Sequence, residues 1–196
     1  MATHIRLLSS EVVGQIAAGE VVERPSAAIK ELVENSMDAG ATSIAVEIRD
    51  GGLTSFRVVD NGSGIQPSDI RLAFARHATS KISQADDLVG VQTLGFRGEA
   101  LASIAAVAKV TCTTRVRGAD CGLSVQNNGG EISELREAPC PEGTSFLVKD
   151  LFFNASPRCR RGWSAATAAN ARPNFRANSP RRSASPCRIR RSPSAI

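Results

Sequence analysis

Residues 30–64 read KELVENSMDAGATSIAVEIRDGGLTSFRVVDNGSG, and this stretch decides the fold. Its first part has helical spacing: Ile29, Leu32, Val33, Ser36 and Met37 fall on one mostly apolar stripe. Pro25 suits a first helical position and Gly40 a C-terminal stop, so a helix is predicted between them. From Thr42 to Arg49 the period changes to two. Ile44, Val46 and Ile48 take one face, and Ser43, Ala45 and Glu47 the other. Asp50-Gly51-Gly52 is a hairpin turn signal, and Leu53–Val59 returns as the partner strand.

The same reading extends outward. Glu11 to Ala18 is a short helix capped by Ser9 or Ser10. Pro67 and Ser68 start a helix through about Ala75, and another runs over Gly98–Val107. Strands are predicted near Lys109–Val116, Gly122–Gln126, Ile132–Leu135 and Thr144–Val148, with a turn at Asn127-Asn128-Gly129-Gly130. Helices first and antiparallel strands after them describe an α+β fold, a two-layer α/β sandwich.

From about Ala155 these signals stop. Residues 154–196 hold ten Arg, no Lys and no acidic residue, so residues 1–153 hold 14 basic residues against all 19 acidic ones. The net charge of +5 is therefore a tail near +10 on a body near −5. A tract of Arg, Ala, Ser and Pro without apolar period cannot bury enough surface to offset ordering entropy, so residues 155–196 are expected to be disordered. The domain reading is 1–154 as one folded unit and 155–196 as a tail.

At 42% hydrophobic residues the chain suits a soluble core. No apolar run approaches the ~20 residues that span a bilayer. The N-terminus lacks a signal peptide's apolar core, which points to a cytoplasmic protein with no membrane partner. Five Cys without a CxxC pair argue against a disulfide framework or a structural zinc site.

Three motifs carry chemistry. Glu31 and Asn35 lie one helical turn apart and share a face. There a carboxylate can activate a water and an amide oxygen can serve Mg²⁺, although a solvated helix face has the same spacing. Asp60 ends a strand and precedes Gly62 and Gly64. Its carboxylate can accept from adenine's exocyclic amine while the glycines allow backbone close to the base; a simple turn is the other reading. Gly95 and Gly98 flank Phe96-Arg97 before an apolar helix, an arrangement that can bind phosphates or merely start a helix. No GxxxxGK[ST] loop occurs. Hydroxyls and a cation in Arg76-His77-Ala78-Thr79-Ser80-Lys81 can cap phosphates as a lid.

These residues carry a family resemblance. QIAAGEVVERP at 15–25, KELVENSMDAGA at 30–41, DNGSGI at 60–65, ARHATSK at 75–81, LGFRGEALASI at 94–104 and PEGTSFLVKDLFFN at 141–154 closely resemble the N-terminal ATPase region of the MutL family of DNA mismatch repair proteins. That family belongs to the GHKL ATPases, with DNA gyrase B, Hsp90 and histidine kinases. GEVVERP and GFRGEAL are the segments most specific to MutL. The resemblance spans about residues 5–154 and implies a Bergerat-type fold that binds and hydrolyses ATP with Mg²⁺. It gives Glu31 as general base, Asn35 as magnesium ligand and Asp60, with Gly62 and Gly64, as the adenine-binding acid. Thr79, Ser80 and Lys81, with Gly95, Phe96, Arg97 and Gly98, fall in the ATP lid, and Thr144 matches a nucleotide-contacting threonine. The implied partners are DNA, a mismatch-recognition protein of MutS type, and a second copy in a homodimer formed on lid closure.

After Asn154 the resemblance ends abruptly. The segment that would supply a second ATPase-region domain and its phosphate-contacting lysine is expected to be missing. GC-rich DNA encodes Arg, Ala, Ser and Pro in almost any frame, so residues 155–196 read as an out-of-frame product of a truncated gene. The alternative function is a non-catalytic fragment that binds nucleic acid weakly through ten Arg.

Overall fold

The computed structural model describes residues 7, 14, 16, 18, 22, 24–79 and 98–154. Helix α1 (Pro25–Asp38) opens on its proline and closes in a Schellman motif. Gly40 donates to Met37 O and Ala41 to Ser36 O, with Gly40 at φ +70. After it come β1 (Ile44–Arg49), β2 (Ser55–Asp60), a 3-10 turn at Leu72–Phe74, α2 (Ala100–Val107), β3 (Lys109–Arg115), β4 (Gly122–Asn128), β5 (Glu131–Ile132), β6 (Arg136–Ala138) and β7 (Gly143–Lys149).

The strands form one antiparallel sheet in the order β1-β2-β7-β3-β4-β5, with β6 also paired to β4. Residues directly opposite one another share a face. The register therefore lines Phe56 with Val148 and Val110, and Val58 with Phe146, Cys112 and Val125, on one side. All seven are buried, and Ala28 and Leu32 of α1 and Leu101, Ile104 and Ala105 of α2 join them in one core. The molecule is the expected α+β two-layer sandwich, and Asp60 and Thr144 stand opposite each other at one end of that core face.

Several local expectations need correction. The helix expected over Pro67–Ala75 is a series of turns ending in the 3-10 segment. Asp69 and Ile70 both donate to Gln66 O, and the closures alternate between three and four residues while Ile70 and Phe74 are still buried. The hairpin turn runs past Gly52: Leu53 N donates to Asp50 O, and the returning strand starts at Ser55 where Leu53 was expected. Of the strand expected over Ile132–Leu135 only Ile132 is in a ladder, at the end of β5; residues 133–135 are irregular and β6 starts at Arg136. Ser133 Oγ accepts from Gln126 N at 3.0 Å, and this hydroxyl replaces a backbone carbonyl in the ladder. Met37 and the apolar face of β1 are not in the core. Met37, near the end of α1, is 53% exposed; on β1, the edge strand, Ile48 is 53% and Val46 41% exposed, and only Ile44 of that face packs against the core.

Of the expected helix Glu11–Ala18, Gly14, Ile16 and Ala18 are helical, and the remainder lies outside the described residues, as do residues 155–196. Among the described residues, no helix is long and apolar enough to cross a membrane.

Candidate functional site

The site is built around a buried carboxylate. Strand β2 ends at Asp60, and the turn that follows folds back under its side chain. Asp60 Oδ1 accepts from Gly62 N at 2.9 Å and from Thr144 N at 3.1 Å. Oδ2 accepts from Ser36 Oγ at 2.9 Å, a hydroxyl that also lies 3.0 Å from Leu32 O. An ionised carboxylate has about four acceptor positions. Three are used, and the one that remains is on Oδ2.

Beneath Thr144 lies a second set of hydroxyls. Thr114 Oγ1 accepts from Ile65 N at 2.9 Å and donates to Gly143 O at 3.0 Å. It also lies 3.1 Å from Thr144 Oγ1. With its own proton on Gly143 O, Thr114 can only accept from Thr144. The Thr144 hydroxyl is then turned inward as a donor and keeps lone pairs for a ligand. Thr114 and Thr144 are both buried, so each missing partner would be costly.

Two of these residues were not singled out from the sequence. Ser36 stood in the apolar stripe of α1, and a hydroxyl in such a stripe was the signal that it faces something polar. Thr114 carries no such signal, because its partners Gly143 and Ile65 lie 29 and 49 residues away.

Helix α1 supplies the flank. Ser36 reaches Asp60, and Asn35 precedes it on the same turn of the helix. Glu31 and Asn35 are both half-buried, one turn apart. Lys30 Nζ pairs with Glu34 Oε1 at 2.9 Å and not with Glu31. The hydrogen bond to Glu34 and then its charge raise the Lys30 amine, with a smaller push from Glu31. Burial, with Asp60's charge second, pushes the Cys112 thiol on the core face up to about 12.

The glycines permit close packing. A Cβ on Gly62 would sit 2.9 Å from Ala39 O and 3.1 Å from Asp60 Oδ1. Gly64, at φ +74, lies against the backbone of Arg115 and Val116. Gly98, at φ +62, packs on Ala78 and Thr79, and His77 Nδ1 lies 3.0 Å from Glu99 Oε1. The two ends of segment 80–97 thus meet at one point. Ser80, Lys81, Gly95, Phe96 and Arg97 lie outside the described residues.

A half-buried carboxylate–amide pair on a helix, a buried acid with two glycines, and a sheet behind them are the parts expected of a nucleotide-binding ATPase. A profile of that class, described as histidine kinase-, DNA gyrase B- and HSP90-like ATPase, matches residues 23–147, and the chain belongs to this family. Within it the chain is of the MutL type. It is 53% identical over 156 residues to the DNA mismatch repair protein MutL of Desulforamulus reducens, a match covering 80% of this chain and 24% of the relative. MutL of Cellvibrio japonicus is 54% identical over 155 residues, covering 79% and 25%. The chain thus spans about a quarter of the length of these relatives. Among solved structures, the Aquifex aeolicus MutL ATPase domain complexed with ADP is similar at TM-score 0.58 and 32% identity, covering 76% of this chain and 52% of that one. The N-terminal domain of a DNA repair protein is similar at TM-score 0.63 and 35% identity, covering 76% and 42%.

Proposed function

We propose that this chain binds ATP with Mg²⁺ at the Asp60 site and carries the hydrolytic machinery of a mismatch-repair ATPase. The observation that supports this best is the state of Asp60: three donors from the protein fix its orientation and leave one Oδ2 position for an incoming donor. Adenine's exocyclic amine is such a donor, and Gly62 and Gly64 let the turn pack tightly around the Asp60 end of the strand. Asn35 offers a hard amide oxygen suited to Mg²⁺, which takes few protein ligands and keeps its waters. The ion would neutralise phosphate charge. Glu31, left outside the Lys30–Glu34 pair, would take a proton from the attacking water. Thr144 contributes an acceptor from the sheet, and Thr79, Ser80, Lys81 and Gly95–Gly98 form the lid over the phosphates.

In the reading that goes with this site, residues 1–154 are the ATPase unit and lid closure drives pairing of two copies. Closure couples mismatch recognition by a MutS-type protein to repair on DNA in the cytoplasm. Residues 155–196 are a separate tail whose ten Arg attract phosphates.

The test is base selectivity. The unmodified chain should bind ATP in preference to GTP, because guanine presents a carbonyl where adenine presents its amine, leaving two acceptors facing each other. Asp60→Asn keeps an oxygen for the two backbone donors and puts an NH₂ at the ligand side, so its preference should shift toward GTP. Equal affinities of the unmodified chain for ATP and GTP in a displacement assay would rule out the Asp60 reading.

A further inference from the structure

Two thiols flank Gly122 at the start of β4. Cys121 Sγ donates to Gly122 O at 3.4 Å, and Cys140 Sγ lies where a Cβ on Gly122 would be. The last ladder pair between β4 and β6 is Gly122 with Ala138. Cys121 and Cys140 therefore leave the sheet together at its frayed end, freed from the pleat that would turn neighbouring positions to opposite faces. The loops that carry them are already joined, because Gly118 N donates to Glu142 Oε1 at 2.9 Å. Burial raises the Cys140 thiol, the Arg115 guanidinium opposes that rise, and Cys121 adds to it, so the groups lie within electrostatic reach of one another. Arg115 Nε is buried without a hydrogen-bond partner, a donor available to a thiolate. Cys121 is exposed and lines a cavity of about 330 Å³ with Arg115 and Arg117, which gives a small oxidant access.

We propose that Cys121 and Cys140 form a redox pair that a peroxide closes into a reversible disulfide, clasping the β3–β4 turn to the segment entering β7. The Cys121 thiolate attacks one peroxide oxygen. The S–O bond forms, the O–O bond breaks, and the departing hydroxide takes up the thiol proton as water. Cys140 then attacks the sulfenic sulfur. The S–S bond forms, the S–O bond breaks, and a second water leaves with the Cys140 proton. The two thiols lose two electrons, which the peroxide gains, and a thiol reductant reverses the change.

Both clasped loops reach the Asp60 site. Arg117 N donates to Ser63 O at 3.4 Å, and three residues after Cys140 begins the Gly143–Thr144 pair that holds Thr114 and Asp60. Resting on the nucleotide reading above, the bridge alters nucleotide affinity by drawing Thr144 N away from Asp60. The loss of one hydrogen bond to a charged group corresponds to about tenfold.

The experiment uses the full chain with Cys159→Ser and Cys187→Ser, so that only three thiols remain. The protein is treated with hydrogen peroxide, alkylated, cut by trypsin (which cleaves at Arg136, between the two cysteines) and mapped by mass. The expected product is a Cys121–Cys140 cross-linked peptide, lost with Cys121→Ser or Cys140→Ser, kept with Cys112→Ser, and released by dithiothreitol. In parallel, ATP affinity should fall about tenfold on oxidation and recover on reduction. Cys121 recovered as sulfenic or sulfinic acid, with Cys140 alkylated, overturns the pair. A disulfide that leaves ATP affinity unchanged overturns the coupling. A disulfide in a chain that binds no ATP in either state upholds the pair and overturns the nucleotide reading instead.

Discussion

Replacing Thr114 by valine removes one hydroxyl and almost no volume. The side chain is 2% exposed, so no water is at hand to replace what is lost. Three groups lose a partner together: Ile65 N at 2.9 Å, Gly143 O at 3.0 Å and Thr144 Oγ1 at 3.1 Å. An unsatisfied buried polar group costs about 1–3 kcal/mol. Ile65 is half-buried and its amide can regain solvent, so two groups bear most of the cost, and the expected loss is ~2–5 kcal/mol. Valine's good fit to a strand recovers only a few tenths. Against a typical domain stability of about 5–15 kcal/mol the loss is large. The assay is urea unfolding of the full chain followed by circular dichroism, with Thr113→Val as control. Thr113 lies on the opposite face, its hydroxyl 3.3 Å from Ser124 Oγ in a part-buried setting, and its replacement should cost less than ~0.5 kcal/mol. If Thr114→Val matches the control, the hydroxyl cluster beneath Thr144 is not what holds this end of the sheet.

Other perturbations separate the remaining roles. Glu31→Ala should leave ATP binding nearly intact in calorimetry while any hydrolysis falls ~10²–10⁴-fold, whereas Asn35→Ala should weaken binding of Mg-ATP. Equal loss of binding in both would refute the division of labour. Gly143→Ala should destabilise by ~2 kcal/mol or more in the same urea assay, because φ is +107 and the new Cβ would collide with the Asp60 backbone. The Cys112 thiol, pushed up to about 12 by burial, should stay unalkylated by iodoacetamide at pH 8 while exposed Cys121 reacts. Its ordinary value is 9.0, so the folded state holds the proton longer than the unfolded one, and stability should decline as pH rises from about 9 toward 12. Stability rising over that range in pH-dependent unfolding would contradict the burial of Cys112.

The sequence was most legible where local chemistry acts alone. Pro25 and Gly40 mark the ends of α1, and the change to period two at Thr42 marks the next element, because capping and pleating are decided within a few residues. The Glu31–Asn35 pair and the Asp60 turn were visible for the same reason. Tertiary placement was not visible in this way. The alternation at Ile44, Val46 and Ile48 is correct as a strand pattern, yet period alone does not distinguish an edge strand from a covered one. The break between β5 and β6 depends on Ser133 entering the ladder through its side chain, a choice that any serine in a strand leaves open. Ser36 and Thr114 owe their roles to partners far along the chain, and single-sequence periodicity carries no record of such distances.

The pinned ends of segment 80–97 bear on how this protein can vary. Gly98 rests on Ala78 and Thr79, and the contact between His77 and Glu99 spans the same junction. Residues 79 and 98 thus stand side by side, so the closure entropy of anything joining them grows only with the logarithm of its length. Such a junction works as a socket: a short glycine-serine bridge from Thr79 to Gly98 spans the same gap as the native stretch, whatever the length of chain plugged into it.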